Sequence, residues 1–147
     1  MVFTTRVKTT QDRAFHYVSD LSKHPEWAMD QMTIEPVSAG PPAVGSIFKH
    51  SGTEPLLRGR LHHQTVSITD IEPYRKFGFD SNDGRIVVHH EFRFSGDADG
   101  TRIDRQVVWT RRPWWHTVLF PLLLRRPLAA RYERTQTRLK ERLEAGG

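Results

Sequence analysis

The sequence has 147 residues and a mass of 17.1 kDa, the size of one domain, and its 37% hydrophobic content is typical of a globular protein rather than a disordered one. It contains no cysteine, which excludes disulfide bonds, thiolate catalysis, cysteine-ligated zinc and iron–sulfur clusters. The net charge of +5 resides in the C-terminal third, because residues 111–144 hold 9 Lys/Arg against 3 Asp/Glu. Polar and apolar side chains alternate in the first residues, as they do in a strand. No basic segment followed by an apolar one is found there. We therefore expect no signal peptide and a cytoplasmic location.

The N-terminal residues predict one strand followed by two short helices. Residues 2–8 are rich in β-branched side chains, which favours a strand. Thr9 or Thr10 is placed to cap a helix, since apolar side chains then recur at helical spacing. Pro25 favours a corner after that helix, so residues 10–28 predict two short helices.

The central part of the chain has the pattern of six strands. They are predicted at residues 32–37, 45–51, 59–71, 76–81, 85–95 and 101–111. A loop is expected at residues 52–55, and Asn82-Asp83-Gly84 is typical of a hairpin turn. Ile68 and Ile71 are three positions apart and would point to opposite faces of a regular strand. This predicts a β-bulge between them that brings both to the same face.

The C-terminal part predicts a long amphipathic helix. An apolar run at residues 114–124 is followed by Leu128, Tyr132, Leu139 and Leu143 at helical spacing. Pro121 and Pro127 predict kinks or a broken entry to that helix. Sequential antiparallel strands form a twisted, curved sheet, and one helix on its concave side leaves room for a ligand cavity.

This order of elements, together with several local motifs, resembles the START/Bet v 1-like (SRPBCC) superfamily, in particular its bacterial polyketide cyclase/dehydrase-like members. The motifs are AFHYVSD at residues 14–20, HPEW at 24–27, VGSIF at 44–48, ITDIEP at 68–73, GTRI at 100–103 and LKERLE at 139–144. The resemblance implies a single ligand-binding domain over residues 1–147 with an α+β helix-grip fold. In that fold a curved antiparallel sheet of about seven strands surrounds the long C-terminal helix, and two short helices follow strand 1. It does not fix a reaction, because one fold carries many functions.

Strand alternation assigns two polar side chains to the interior face of the sheet. His90 shares a face with Ile86, Val88, Phe92 and Phe94, and Arg105 shares one with Ile103, Val107 and Trp109. The resulting set of predicted ligand-binding residues is Trp27, Phe48, His50, Val88, His90, Phe92, Arg105, Val107, Trp109 and Tyr132.

His90 and Arg105 are the candidate catalytic residues. A buried arginine costs several kcal/mol unless it is paired, and the carbonyl or carboxylate oxygen of a ligand suits its planar donors. His90 is then a candidate general acid or base for an enolising ketone, with Arg105 stabilising the oxyanion. The structural alternative pairs Arg105 with Glu91 or Asp104 and lets His90 cap a backbone group.

No cofactor or metal is predicted. One histidine from His62-His63 and one from His89-His90 would have to meet His50 to bind zinc, and no helical histidine spacing supports such a site. The sequence has no Gly-x-Ser-x-Gly elbow, P-loop or Gly-x-Gly-x-x-Gly motif. It also lacks recognisable nucleic-acid-binding motifs, so no nucleic-acid partner is expected.

The segment from Trp114 to Leu124 has two interpretations. It is too short to span a bilayer, and the favoured one is a buried helix entry flanked by surface arginines. The alternative is a weak interfacial contact with a membrane.

The sequence therefore predicts a protein that binds a hydrophobic small molecule (a polyketide, lipid or aromatic metabolite) between the sheet and the C-terminal helix. One alternative is a polyketide aromatase/cyclase or dehydratase that uses His90 and Arg105. Another is a membrane-surface lipid carrier. Homodimerisation also stays open.

Overall fold

The computed structural model describes residues 1–28, 32–54 and 60–146. Within these ranges, seven strands and four helices follow one another in the α+β order expected for a helix-grip fold. The strands are β1 (Val2–Val7), β2 (Met32–Pro36), β3 (Ile47–Glu54), β4 (Arg60–Glu72), β5 (Lys76–Asn82), β6 (Val87–Asp97) and β7 (Gly100–Arg111). The helices are α1 (Gln11–Ser19), α2 (His24–Trp27), α3 (Trp114–Leu119) and α4 (Arg125–Ala145), with a 3₁₀ turn (Leu21–Lys23) and a π-helical turn (Phe120–Leu124).

All seven strands form one curved antiparallel sheet in the order β1-β7-β6-β5-β4-β3-β2. The strands from β2 to β7 are sequential neighbours, and β1 returns to pair with β7. The predicted bulge is confirmed, because the register of β4 against β5 shifts between Ile68 and Asp70. This extra residue allows both Ile68 and Ile71 to pack against the core.

The two short helices are confirmed. Side chains close in sequence cap the start of α1 and the start of the 3₁₀ turn. The Thr10 side chain accepts a hydrogen bond from the Arg13 amide, and Asp20 caps the 3₁₀ turn by accepting one from the Ser22 amide. The apolar face of α1 is buried against the sheet through Ala14, Phe15 and Val18.

The C-terminal helix is broken at its entry, as the prolines predict, and α4 then continues to Ala145. Two of its arginines hold it against α2. Arg138 donates to the Ala28 carbonyl at 3.1 Å and Arg142 donates to the Glu26 carbonyl at 3.2 Å. The inward face of α4 includes Thr135 and Gln136 as well as the predicted Leu139 and Leu143, so it is more polar than the apolar pattern indicates.

Gly100, at the start of β7, is required by the close approach of β1. Its φ is +136°, and a Cβ added there would collide with the carbonyl group of Val7. Only glycine meets both conditions without strain, so this residue fixes how tightly β1 and β7 meet.

Several strand boundaries differ from the sequence prediction by one to three residues, and two of these differences have a clear cause in the structure. The loop predicted from Gly52 is wrong over its described part, because β3 runs on to Glu54 and every one of its residues has a partner in the long β4. Pro55 and Gly59, which belong to the predicted loop and to the predicted start of the next strand, lie outside the described residues.

The other boundary is the start of β6, which begins at Val87 rather than at Arg85. The Asp83 carboxylate accepts hydrogen bonds from the amides of Arg85 (2.8 Å) and Ile86 (2.6 Å). Those two residues therefore belong to the turn.

The favoured interpretation of residues 114–124 is also wrong, because most of the apolar side chains there are exposed. Trp114 is 80% exposed, Leu122 76% and Leu123 65%. A helix buries only one face, and here that face is taken by His116 and Phe120, which contact the ring of Trp109. Over the described ranges, no helix combines the length and the apolar character needed to cross a bilayer.

Candidate functional site

A cavity of about 450 Å³ lies between the sheet and the C-terminal helices. Each strand from β2 to β7 contributes to its wall, as do α2, α3 and α4. Its lining presents mainly aromatic and aliphatic surface, interrupted by polar side chains that include five histidines and two arginines. This composition is that of a site for a small apolar molecule.

A second depression, of about 470 Å³, lies between β1 and α4. Its lining consists mostly of polar side chains, including Arg6, Glu133 and Lys140. It contains neither His90 nor Arg105, so the chemistry predicted from the sequence belongs to the first cavity.

Seven of the ten predicted ligand-binding residues line the cavity: Trp27, His50, Val88, His90, Arg105, Trp109 and Tyr132. The other three, Phe48, Phe92 and Val107, are buried but do not reach its wall. Strand alternation gives the inward face correctly for the eight of the ten residues that lie on strands. It does not distinguish side chains packed against a neighbour from side chains that border a space.

Arg105 is the buried cation of the cavity wall. Its side chain lies among aromatic rings, with Cζ 4.7 Å from the centroid of Tyr132, 5.1 Å from that of Phe92 and 5.8 Å from that of Trp27. Such rings stabilise a cation through their π faces. Burial lowers the pKa of Arg105 to about 10, so the group stays charged at neutral pH.

The structural pairing of Arg105 with Glu91 or Asp104 is wrong. Glu91 accepts from Arg93 at 2.7 Å, and Asp104 accepts from Arg102 at 3.0 Å. Nε and Nη1 of Arg105 are buried without a hydrogen-bond partner among the described residues. Two nitrogens of a charged group, which carry three N–H donors between them, are therefore available to a molecule in the cavity.

His90 is in direct contact with this arginine. Nη2 of Arg105 lies 3.3 Å from Nδ1 of His90, and the His90 ring stacks on Phe79 with centroids 4.8 Å apart. A guanidinium can only donate, so Nδ1 is the acceptor and the ring proton is on Nε2. Burial, and then the charge of Arg105, lower the pKa of His90 well below its ordinary value, so the ring is neutral at pH 7.

Sequence reasoning missed His24, which also lines the cavity. Nε2 of His24 donates to the Val18 carbonyl at 2.8 Å, and the ring packs on Trp27 with centroids 4.6 Å apart. Burial lowers the pKa of His24 to about 4. The spacing of His24 and Trp27, three residues apart in a helix, is the signal that would have placed both side chains on one face.

Further polar groups in the wall complete the site. The indole N–H of Trp27 is buried without a partner among the residues described, and so is Nε2 of His50. Nδ1 of His50 lies 3.4 Å from the Gln64 side-chain oxygen. Thr135 borders the cavity from α4. The polar groups are thus spread around an apolar space.

The histidines do not assemble into a metal centre in the described part of the chain, where no group of three or more His, Asp or Glu side chains is placed to hold an ion. His50, His62 and His90 border the same cavity. Their neighbours His63 and His89 bond instead to Ser51 (2.8 Å) and Asp80 (2.7 Å).

The sequence matches a known protein family along almost its whole length. The family model described as "Polyketide cyclase / dehydrase and lipid transport" matches residues 1–144. No curated protein matches the sequence.

Solved structures share the fold at low identity. A protein from Thermus thermophilus aligns with a TM-score of 0.78 at 13% identity, over 100% of this chain and 98% of that one. The di-domain ARO/CYC StfQ from the steffimycin biosynthetic pathway aligns with a TM-score of 0.73 at 17% identity, over 96% of this chain and 49% of StfQ. Ara h 8.0201 gives a TM-score of 0.70 at 13% identity, over 97% and 95% of the two chains.

Proposed function

The chain belongs to the polyketide cyclase/dehydrase and lipid transport family within the START/Bet v 1-like superfamily, and from this premise we propose that it binds an amphiphilic small molecule in the cavity. The ligand has an apolar aromatic or acyl body, as in a polyketide, a lipid or an aromatic metabolite. It also has a carbonyl or carboxylate oxygen that accepts hydrogen bonds from Arg105.

The observation that carries the proposal is a charged group without a countercharge inside an apolar space. Arg105 is 5% exposed, and two of its nitrogens lack a partner among the described residues. The acidic residue of the described cavity lining is Asp83, which already accepts from the amides of Arg85 and Ile86. A ligand oxygen at Arg105 would satisfy donors that are otherwise left buried and unpaired.

The indole N–H of Trp27 adds a neutral donor beside the cation, since Arg105 Cζ lies 5.8 Å from the indole ring. Together these groups suit an oxygen with several lone pairs, such as a carboxylate. The volume of about 450 Å³ is in the range of sites that enclose small organic ligands.

Isothermal titration calorimetry with two matched probes tests the proposal. Naphthoic acid carries a carboxylate, whereas ethylnaphthalene has the same rings without an oxygen. We expect both to bind, with naphthoate favoured by about tenfold to a hundredfold, since a hydrogen bond to a charged group contributes roughly 1.5–3 kcal/mol.

The Arg105→Met variant should bind the two probes with nearly equal affinity. Arg102→Met is the matched control, because Arg102 lies on the same strand with its side chain exposed and paired with Asp104. Loss of the preference in both variants, or in neither, would contradict the role of Arg105. Failure of both probes to bind would contradict the cavity as a ligand site.

A second candidate function is polyketide cyclisation or dehydration, which the contact between His90 and Arg105 favours. Because Nδ1 of His90 already accepts from Arg105, the ring is better suited to donate from Nε2 than to act as a general base. In this function Arg105 and neutral His90 donate hydrogen bonds to the enolate oxygen that forms when water in the cavity takes the acidic proton between two carbonyl groups of the β-ketone.

Turnover of a poly-β-ketone thioester, followed by mass spectrometry as loss of water, tests this function. We expect His90→Ala to lower the rate by about 10²–10³, the usual effect of removing one donor to an oxyanion. The control is His89→Ala, whose parent side chain bonds to Asp80. Equal rates in the two variants would refute the assignment.

A further inference from the structure

The outer side of the helix entry exposes a continuous set of large apolar residues, here called the α3 surface. It consists of Trp114, Val118, Leu119, Leu122 and Leu123, which are 80%, 55%, 39%, 76% and 65% exposed. All five lie within ten consecutive positions, in α3 and the π-helical turn after it. Single exposed apolar residues are ordinary, but a cluster of this kind marks a surface that contacts something other than water.

The segment that carries the α3 surface packs against the domain through its inner side. On its inner side, the rings of His116 and Phe120 stack with centroids 5.1 Å apart, and both contact Trp109 of β7. His116 is 4% exposed. The inner face of the segment therefore packs on the sheet. The α3 surface, on the outer face, is exposed in the folded protein.

The charged residues that flank the α3 surface along the chain all have one sign. Arg111 and Arg112 precede it, Arg125 and Arg126 follow it, and all four are exposed. The sequence has no aspartate or glutamate between residue 111 and residue 132. A partner that meets the apolar residues at this place also meets four cations, so it should carry negative charge next to an apolar interior.

We propose that the α3 surface docks onto an anionic lipid bilayer. Trp114, Leu122 and Leu123 enter the boundary between headgroups and acyl chains, and the flanking arginines bind lipid phosphates. Apolar side chains with a tryptophan, bordered by arginines, are the combination that holds a helix in the plane of a membrane interface. The contact is peripheral, because the helices of the described ranges do not meet the length and hydropathy needed to cross a bilayer.

The α3 surface adjoins the cavity. Trp115 and Leu124 lie within the same segment and line the cavity wall. Docking would therefore bring the cavity next to the lipid phase. The docking proposal does not depend on ligand binding, and the two can fail separately.

Vesicle flotation tests the proposal directly. We expect the protein to float with phosphatidylcholine vesicles that contain about a third phosphatidylglycerol, and to bind pure phosphatidylcholine vesicles about tenfold less. Raising the salt concentration to about 1 M should weaken the first interaction, because it screens the arginines from the lipid charge. Equal binding to both vesicle types would overturn the anionic specificity, and no binding to either would overturn the proposal.

The triple variant Trp114→Ser, Leu122→Ser, Leu123→Ser tests which residues enter the lipid. None of the three lines the cavity, so naphthoate binding should be unchanged, while vesicle binding should fall about tenfold or more. Val44→Ser is the matched control, because Val44 is 61% exposed in the segment before β3. An equal loss in the control, or no loss in the triple variant, would contradict the assignment.

Analytical ultracentrifugation distinguishes the competing occupant, a second copy of this chain. We expect a monomer whose sedimentation is the same in the wild type and the triple variant. A wild-type dimer that the triple variant dissociates, together with an absence of vesicle binding, would assign the α3 surface to self-association and overturn the proposal.

Discussion

Nη2 of Arg105 on β7 lies 3.3 Å from Nδ1 of His90 on β6, and both side chains are at least nine-tenths buried. The strand register pairs Arg105 with Phe92 and His90 with Val107, so the two polar side chains meet diagonally on the concave face. Phe79 stacks on the histidine and Phe92 lies beside the arginine. The contact is thus fixed by the sheet and its aromatic neighbours.

The first prediction concerns the ring of His90, which should stay in the neutral form with its proton on Nε2. The donor from Arg105 occupies Nδ1, and burial lowers the pKa of His90. Nitrogen-15 NMR of labelled protein should show this tautomer as the pH is lowered through 6.5, the ordinary value for histidine. The same residue in urea-unfolded protein should titrate near 6.5. A His90 signal that titrates normally in the folded state would contradict the contact.

The second prediction is that Arg105 does not stabilise the fold. Its buried nitrogens are incompletely hydrogen-bonded within the described chain, and methionine fills a similar volume without charge. Arg105→Met should leave the free energy of unfolding unchanged or raise it by about 1 kcal/mol. Urea denaturation measures this against Arg102→Met. A loss of more than about 2 kcal/mol for Arg105→Met alone would instead assign a structural role to this arginine.

The third prediction is an acid dependence of stability that arises at His24. Burial lowers its pKa from 6.5 to about 4 in the folded state, so the unfolded state binds the proton more readily between these values. The contribution of neutral His24 to the free energy of unfolding is therefore fully present above pH 6.5. It is lost as the pH falls to about 4. This amounts to about 3 kcal/mol.

His24→Gln keeps a donor for the Val18 carbonyl but removes the titrating ring. Urea denaturation at several pH values should show a lower stability at neutral pH and a flatter dependence below pH 6.5. His16→Gln is the control, because His16 is exposed and lies 3.0 Å from Asp12 at the surface. An unchanged acid dependence in His24→Gln would show that other groups cause it.

The fourth prediction concerns Gly100. Gly100→Ala should lower the free energy of unfolding by more than about 2 kcal/mol, because the new Cβ meets the Val7 carbonyl and φ is positive. Gly45→Ala separates the two causes, since Gly45 also has a positive φ but open space around the added Cβ. We expect Gly45→Ala to cost about 1 kcal/mol. Equal losses would mean that the contact with β1 relaxes freely.

Strand alternation was sufficient to predict the interior placement of His90 and Arg105. A side chain two residues along a strand returns to the same face, and on β6 and β7 this holds from Val88 to Phe94 and from Thr101 to Val107. The bulge in β4 could also be predicted, because the parity of Ile68 and Ile71 conflicts in a regular strand.

The parts that could not be predicted depend on where separate elements meet. Phe92 and Val107 share the face of the cavity residues but are covered by packing, and this is decided by the path of the helices above them. The exposure of Leu122 and Leu123 has a similar origin. A helix that is apolar on all sides does not show in its sequence which face will be buried. Here the contact with Trp109 on the sheet decides it.

The pairing of β1 with β7 has a consequence for the order in which the protein forms. Thr4 and Asp104 face each other across these strands although they are 100 positions apart in the chain. During synthesis the first strand has no sheet neighbour until β7, the last strand of the chain, has left the ribosome. Contacts of such long range slow folding, so closure of the β1 edge is expected to be a late event.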